Sequence, residues 1–86
     1  MKKGNYISLK KIESINLFEG SLVEGYCIKG YLINDVRTGS KIEVIRTERN
    51  GIEIPGWFES SAVEDIVGDV IKTKNSFWEI EKLKDE

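Results

Sequence analysis

The chain predicts a mainly β domain: a small, strongly bent antiparallel SH3-like barrel of about five strands with a short N-terminal helix. Three observations carry this expectation. Short runs rich in aromatic and β-branched residues recur at close spacing, and tight-turn signals at Asn50-Gly51, Gly68-Asp69 and Asn75-Ser76 separate them. Gly25 and Gly30 fall inside one such run, where small barrels bend a strand. An OB-type barrel is the alternative, disfavoured because its strands and loops usually need more residues than the 86 present. A chain of this length makes one domain. Its divisions are an N-terminal segment at residues 1–20, the barrel at 21–83 and a short tail at 84–86.

Taken in order, residues 8–18 form an apolar stripe of Leu9, Ile12, Ile15 and Phe18, with Ser8 as a cap and Gly20 as a stop. That spacing predicts a helix, although the same residues also fit strands at 6–9 and 12–17. Residues 22–34 read as one long strand bent at a glycine. Tyr26, Ile28 and Leu32 share one face and Cys27, Tyr31 and Ile33 the other, so a bend that exchanges the faces would explain why neither is cleanly apolar. Residues 41–47 and 52–58 flank Asn50-Gly51, the strongest hairpin signal in the chain. A two-residue loop there sets Glu48 against Glu53, which leaves a longer loop or a bulge as the alternative. Pro55, lacking an N–H, belongs at an edge or a bulge. Ser61 to Glu64 fits a capping box and predicts one turn of 3₁₀ helix.

The most legible stretch is residues 65–83, a three-stranded meander. Two-residue turns at Gly68-Asp69 and Asn75-Ser76 pair Ile66 with Ile71, Asp65 with Lys72, Thr73 with Trp78, Lys72 with Glu79, and Ile71 with Ile80. One face then carries Ile66, Ile71, Ile80 and Trp78, and the other the alternating charges Asp65, Lys72 and Glu79. A slip of one residue would turn the apolar row into water, so that row is expected to fix the register.

Within residues 30–83, the run GWFESSAVEDI at 56–66 is followed by IKTKNSFWEI at 71–80. Together they resemble small uncharacterised proteins encoded by bacterial phages and other mobile elements, which share an aromatic residue, then Ser/Thr-Ser-x-Val-x-x-Ile, then Ile-x-Thr-x-Asn-Ser-x-aromatic. The motifs are turn and core residues. The resemblance therefore implies a small barrel of mobile-element origin and carries over no catalytic residue, and the N-terminal third lies outside it.

Composition narrows the function classes. With 40% hydrophobic and 33% charged residues the chain is that of a folded domain, and its net charge of −2 lacks the basic excess of a dedicated duplex-DNA binder. There is no His, no second Cys to pair with Cys27, no glycine-rich phosphate loop and no metal-ligand pair, so no catalytic, cofactor-binding or metal-binding residues are assigned. In the expected register Asp65 and Glu79 flank Lys72, which favours their ionised forms, the reverse of what a general acid needs. The sequence shows no signal peptide and no apolar run of the roughly 20 residues a membrane span needs, so the expected location is cytoplasmic, in a bacterial host.

Binding by a surface patch is the remaining expectation. Adjacent strand residues point to opposite faces, so Trp57-Phe58 and Phe77-Trp78 each put one ring outside. Trp78 is inward by the meander register and Phe77 outward; for the other pair the sequence leaves the choice open. Trp57, Phe58, Phe77, Arg46, Arg49 and Lys74 are the candidate partner-binding residues. The leading expectation is a non-enzymatic inhibitor or adaptor of a host or defence protein. A second is a nucleic-acid-binding barrel in which Arg46, Arg49, Lys72 and Lys74 interleave with the outer rings, against the glutamates Glu43, Glu48, Glu53, Glu59 and Glu64 of the same strands. A third is a homo-oligomeric structural subunit whose open barrel edge pairs with its own copy.

Overall fold

The computed structural model describes residues 1–15 and 25–84, with backbone only at residue 84. Among the described residues six antiparallel strands follow one another: β1 (Tyr6–Ser14), β2 (Cys27–Leu32), β3 (Lys41–Arg49), β4 (Ile52–Val67), β5 (Val70–Thr73) and β6 (Ser76–Lys84). Each pairs with the next, and β6 returns to β1, so the sheet closes into a barrel. The pleat explains the interior. In β1, Ile7, Leu9 and Lys11 alternate inward, in β2 Ile28, Gly30 and Leu32, and in β3 Ile42 and Val44. With Phe58, Val63, Ile71, Trp78 and Ile80 the apolar members form one buried cluster, against which Tyr26 and Val36 pack.

Closing so few strands demands sharp bending, and the chain supplies it at identifiable places. The 16-residue β4 pairs with β3 along its first part, Ile52 to Ala62, and with β5 along its last, Val63 to Val67. The β2–β3 register shifts at Lys29/Gly30, where a Cβ on Gly30 would collide with the Ile45 carbonyl oxygen and come within 2.6 Å of Val44 Cγ1. Glycine is required there for β3 to approach β2. A second shift, between Arg46 and Glu48, leaves Pro55 in a bulge, one of the two places its missing N–H allows.

Two turns match their sequence signals. Asn50 and Gly51 both take positive φ, 50° and 83°, as a two-residue hairpin loop requires, and pair Arg49 with Ile52. The like-charge pair Glu48–Glu53 does form, and Lys29 Nζ, 3.3 Å from Glu48 Oε2, offsets it. At the next hairpin Gly68 takes φ +59° and the expected pairs Asp65–Lys72 and Ile66–Ile71 are present.

Elsewhere the structure corrects the sequence reading. No helix occurs among the described residues: Tyr6–Ser14 is a strand paired on both sides. The inward position of Lys11, which is buried, hides the two-residue apolar period from the sequence and leaves Leu9, Ile12 and Ile15 to imitate a helical one. Residues 16–18 of the expected helix, its stop at Gly20 and the start of the expected strand at 22–24 lie outside the described residues, as do residues 85–86 of the expected tail. Nor do the faces exchange in β2, where Tyr31 stays outside while Ile28 and Leu32 stay inside.

The capping box at residues 61–64 is extended, with Ser61 Oγ accepting a hydrogen bond from the Asn75 N–H at 3.2 Å. Finally, β5 and β6 pair two residues away from the expected register: Ile71 faces Trp78, and Lys72 faces Phe77 in place of Glu79. Thr73 Oγ1 donates to the Ser76 carbonyl at 3.1 Å and accepts from the Ser76 N–H at 3.2 Å, closing the turn around Lys74-Asn75. The charge row therefore dissolves, and Lys72 Nζ lies 3.5 Å from Glu64 Oε1.

Candidate functional site

β-Pairing places four outward side chains in one cross-strand row. Tyr6 on β1 pairs with Tyr31 on β2, Tyr31 with Ile45 on β3, and Ile45 with Trp57 on β4. Three strand spacings make the row about 14 Å long. It is apolar yet open to solvent: Tyr31 is 43% exposed, Ile45 45% and Trp57 57%. The Tyr6 end is fixed in place. Its ring lies 4.8 Å from that of Tyr31, and its hydroxyl is 2.9 Å from Thr47 Oγ1, which donates onward to the Lys29 carbonyl at 3.3 Å.

Charged groups border the row on both sides. On one side Lys29 faces Glu48. On the other, Lys41 Nζ lies 3.0 Å from Glu59 Oε1, and Asn34 Nδ2 donates to Glu43 Oε1 at 2.7 Å. Each lysine thus has a glutamate beside it. Such exposed pairs contribute little to stability, on the order of 0–1 kcal/mol, but they leave the rim with both signs at once.

The six candidate residues separate. Trp57 is outside and is the most exposed member of the row, whereas Phe58 is buried, its ring 5.4 Å from that of Trp78 and edge-on to it, so it is a core residue and not a contact. Phe77 faces outward beside Glu13 and Lys72, half-buried, on the far side of the barrel wall from Trp78. Arg46 is half-buried: its Nε donates to the Ile54 carbonyl at 3.1 Å, and its guanidinium covers Gly56, where an added Cβ would lie 2.6 Å from Nη2. Since Gly56 and Trp57 point to opposite sides of β4, Arg46 is not interleaved with the exposed indole.

Arg49, exposed, pairs with Ile52 beside the first hairpin loop, and the Lys74 N–H donates to the Ala62 carbonyl in the β5–β6 turn. Those two points are ten residues apart on β4, roughly 33 Å along the strand path at ~3.3 Å per residue. The basic residues are therefore distributed and do not form a funnel around the rings. What the sequence reading missed is Tyr6, Tyr31 and Ile45. The signal was present in Tyr31-Leu32 and Val44-Ile45, adjacent apolar residues on strands whose inward side alone needs them.

Two other features of the described residues bear on function. Burial pushes the Cys27 thiol above its ordinary pKa, against a smaller opposing effect of Lys29, so the thiol is held in its less reactive form. An open cavity of about 190 Å³ beneath the β4–β5 turn, walled by Met1, Val36, Ile66, Asp69, Ile71 and Ile80, is smaller than the roughly 300 Å³ and upward of small-molecule sites. Among the described residues no three His, Cys, Asp or Glu side chains are placed to hold a metal ion, and no helix is long and apolar enough to cross a membrane. No family model matches the chain, and no curated protein or solved structure matches it either.

Proposed function

We propose that the protein is a non-enzymatic binding module that engages a protein partner through the outer face of β1–β4, as an inhibitor or adaptor of a host or defence protein. The observation that carries the reading is the row Tyr6, Tyr31, Ile45 and Trp57, an apolar surface that stands open to solvent among the described residues. Aromatic side chains on a rigid sheet are the residues that dominate protein interfaces, because they bury large area at small conformational cost. Origin in a phage or mobile element rests on the motif resemblance in residues 56–80, and action inside a bacterial host follows from that origin. Within this reading the barrel is SH3-like: its neighbours follow in chain order, without the Greek-key jump of an OB barrel.

Tagged protein applied to bacterial lysate, with and without nuclease, tests the function. Wild type is expected to retain a protein after nuclease treatment, and a folded Trp57→Thr variant to lose it at least tenfold. Loss of all captured material on nuclease treatment would instead make nucleic acid the ligand. Capture that is indifferent to Trp57→Thr would move the interface elsewhere.

A further inference from the structure

From the glutamates that border the row we infer that its occupant is a basic protein surface, with an arginine seated on Trp57 between the carboxylates of β3 and β4. This deepens the proposed function and rests on its reading of the β1–β4 face as an interface. Two cross-strand pairs set the charge. On the outer side of β3 and β4, Glu43 faces Glu59 and Glu48 faces Glu53, one pair on either side of Ile45 and Trp57 along the strands. Like charges directly opposite each other disfavour a sheet, so folding gains nothing from either pair. Lys29 lies beside Glu48 and Lys41 beside Glu59. Set against those two ammonium groups, the four carboxylates leave two negative charges in excess, at Glu53 and at Glu43, whose printed partner is the neutral amide of Asn34. The arginines of the same strands do not redress the excess. The Arg46 guanidinium covers Gly56, on the side of β4 away from Trp57, and Arg49 pairs with the buried Ile28, on the inner side of β3.

Area then brings the glutamates into the contact. Three large side chains about half exposed offer roughly 300 Å² of apolar surface, given ~150–250 Å² for a whole aromatic side chain. A stable interface needs about 800 Å² per partner, so the flanks are covered together with the row. A nucleic acid or an acidic protein surface meets like charge at Glu43 and Glu53, whereas a basic surface supplies the cations those carboxylates lack once water is removed. Arginine suits the place best. Its planar guanidinium stacks on an indole while its N–H groups reach a carboxylate, and Glu59 stands two residues from Trp57 on β4, about 7 Å along the strand. Apolar side chains of the same surface then cover Ile45 and Tyr31, whose ring is held in place by Tyr6.

An NMR titration of the full chain, following the Trp57 indole N–H, tests the inference. The probes are the peptide acetyl-Leu-Arg-Tyr-Arg-Leu-amide, its analogue with glutamate in place of arginine, and single-stranded decathymidine. The arginine peptide is expected to shift the indole resonance saturably, to bind at least about tenfold tighter than either other probe, and to weaken as salt rises from about 50 to about 500 mM. Glu43→Gln/Glu59→Gln, in which glutamine still accepts from Asn34 Nδ2, is expected to weaken the arginine peptide about fivefold, and Lys41→Glu, which adds negative charge, to tighten it about twofold or more, with circular dichroism verifying the fold of each variant. The inference is overturned by an indole that does not respond to the arginine peptide, by equal or tighter binding of the glutamate peptide or decathymidine, or by an affinity unchanged in folded Glu43→Gln/Glu59→Gln. If it fails in one of these ways while Trp57→Thr still abolishes capture of a lysate protein, the proposed function stands with a partner of different charge. If Trp57→Thr leaves capture unchanged as well, both fail.

Discussion

Three dipeptides divide this barrel into two surfaces. Leu32, Val44 and Phe58 pair across β2, β3 and β4 and are buried; Tyr31, Ile45 and Trp57, their neighbours in sequence, pair across the same strands and stand in solvent. Both rows are apolar, and only the first has a reason to be so in the isolated fold. A strand requires hydrophobic residues on the side facing the core and tolerates polar ones on the other. The excess of Tyr31, Ile45 and Trp57 over what folding needs is the observation on which the proposed binding role of the outer row rests.

Exchanging residues between the rows should expose the difference, most strongly at Phe58. Phe58→Ala removes a buried ring that packs on Trp78 and Tyr26 and is expected to cost about 3–5 kcal/mol, a large part of what a domain of this size possesses. Trp57→Ala, one residue away, is expected to cost less than about 1 kcal/mol. Urea unfolding of the two variants measures the contrast, and equal losses would erase it.

Gly30 is the position where the two surfaces touch. A methyl group there meets the Ile45 carbonyl and the Val44 side chain, so Gly30→Ala must push β3 away from β2, at an expected cost of about 1–3 kcal/mol, and carry Ile45 out of line. The variant should lose stability and partner capture together, unlike Phe58→Ala, which acts on stability, or Trp57→Thr, which acts on capture.

How far the sequence foretold this division varies by element. Turn chemistry was legible: the positive φ of Asn50, Gly51 and Gly68 follows from their residue types, and the Gly68-Asp69 turn gave its hairpin register correctly, while at Asn50-Gly51 the sequence left a longer loop or a bulge open beside the two-residue loop that forms. The β5–β6 register was not, and the reason is geometric. An apolar row excludes a slip of one residue, which inverts the faces, but a slip of two keeps Ile71, Trp78 and Ile80 inside. The decision fell to the hydroxyl of Thr73 and its two bonds to the Ser76 backbone, which hydrophobic patterning does not register. Lys11, an inward lysine, broke the alternation of β1 in the same way. At the site, Trp57 was nominated from sequence, while its row mates come from three other strands and became neighbours only through pairing.

Cys27 gives the smallest effect. Its thiol sits half-buried at the start of β2, and burial holds its pKa above the ordinary value. Because the folded state favours the neutral thiol, the associated stability is fully present below the unfolded-state pKa and is lost as pH rises through the higher folded one. The pH dependence of thiol modification should therefore have a midpoint above that of free cysteine, and the stability advantage of wild type over Cys27→Ser should shrink at alkaline pH. A midpoint at or below the free value would contradict the burial seen here.

The most direct measurement is the urea-unfolding free energy of the triple variant Tyr31→Thr/Ile45→Thr/Trp57→Thr, in which threonine keeps β propensity while removing the apolar row. If the row belongs to recognition, the variant unfolds in one cooperative transition with its urea dependence unchanged, and loses no more than about 2 kcal/mol, chiefly the Tyr6–Tyr31 ring contact. Loss of the cooperative transition would show that the outer row holds the barrel together, and that its exposure is no sign of a partner.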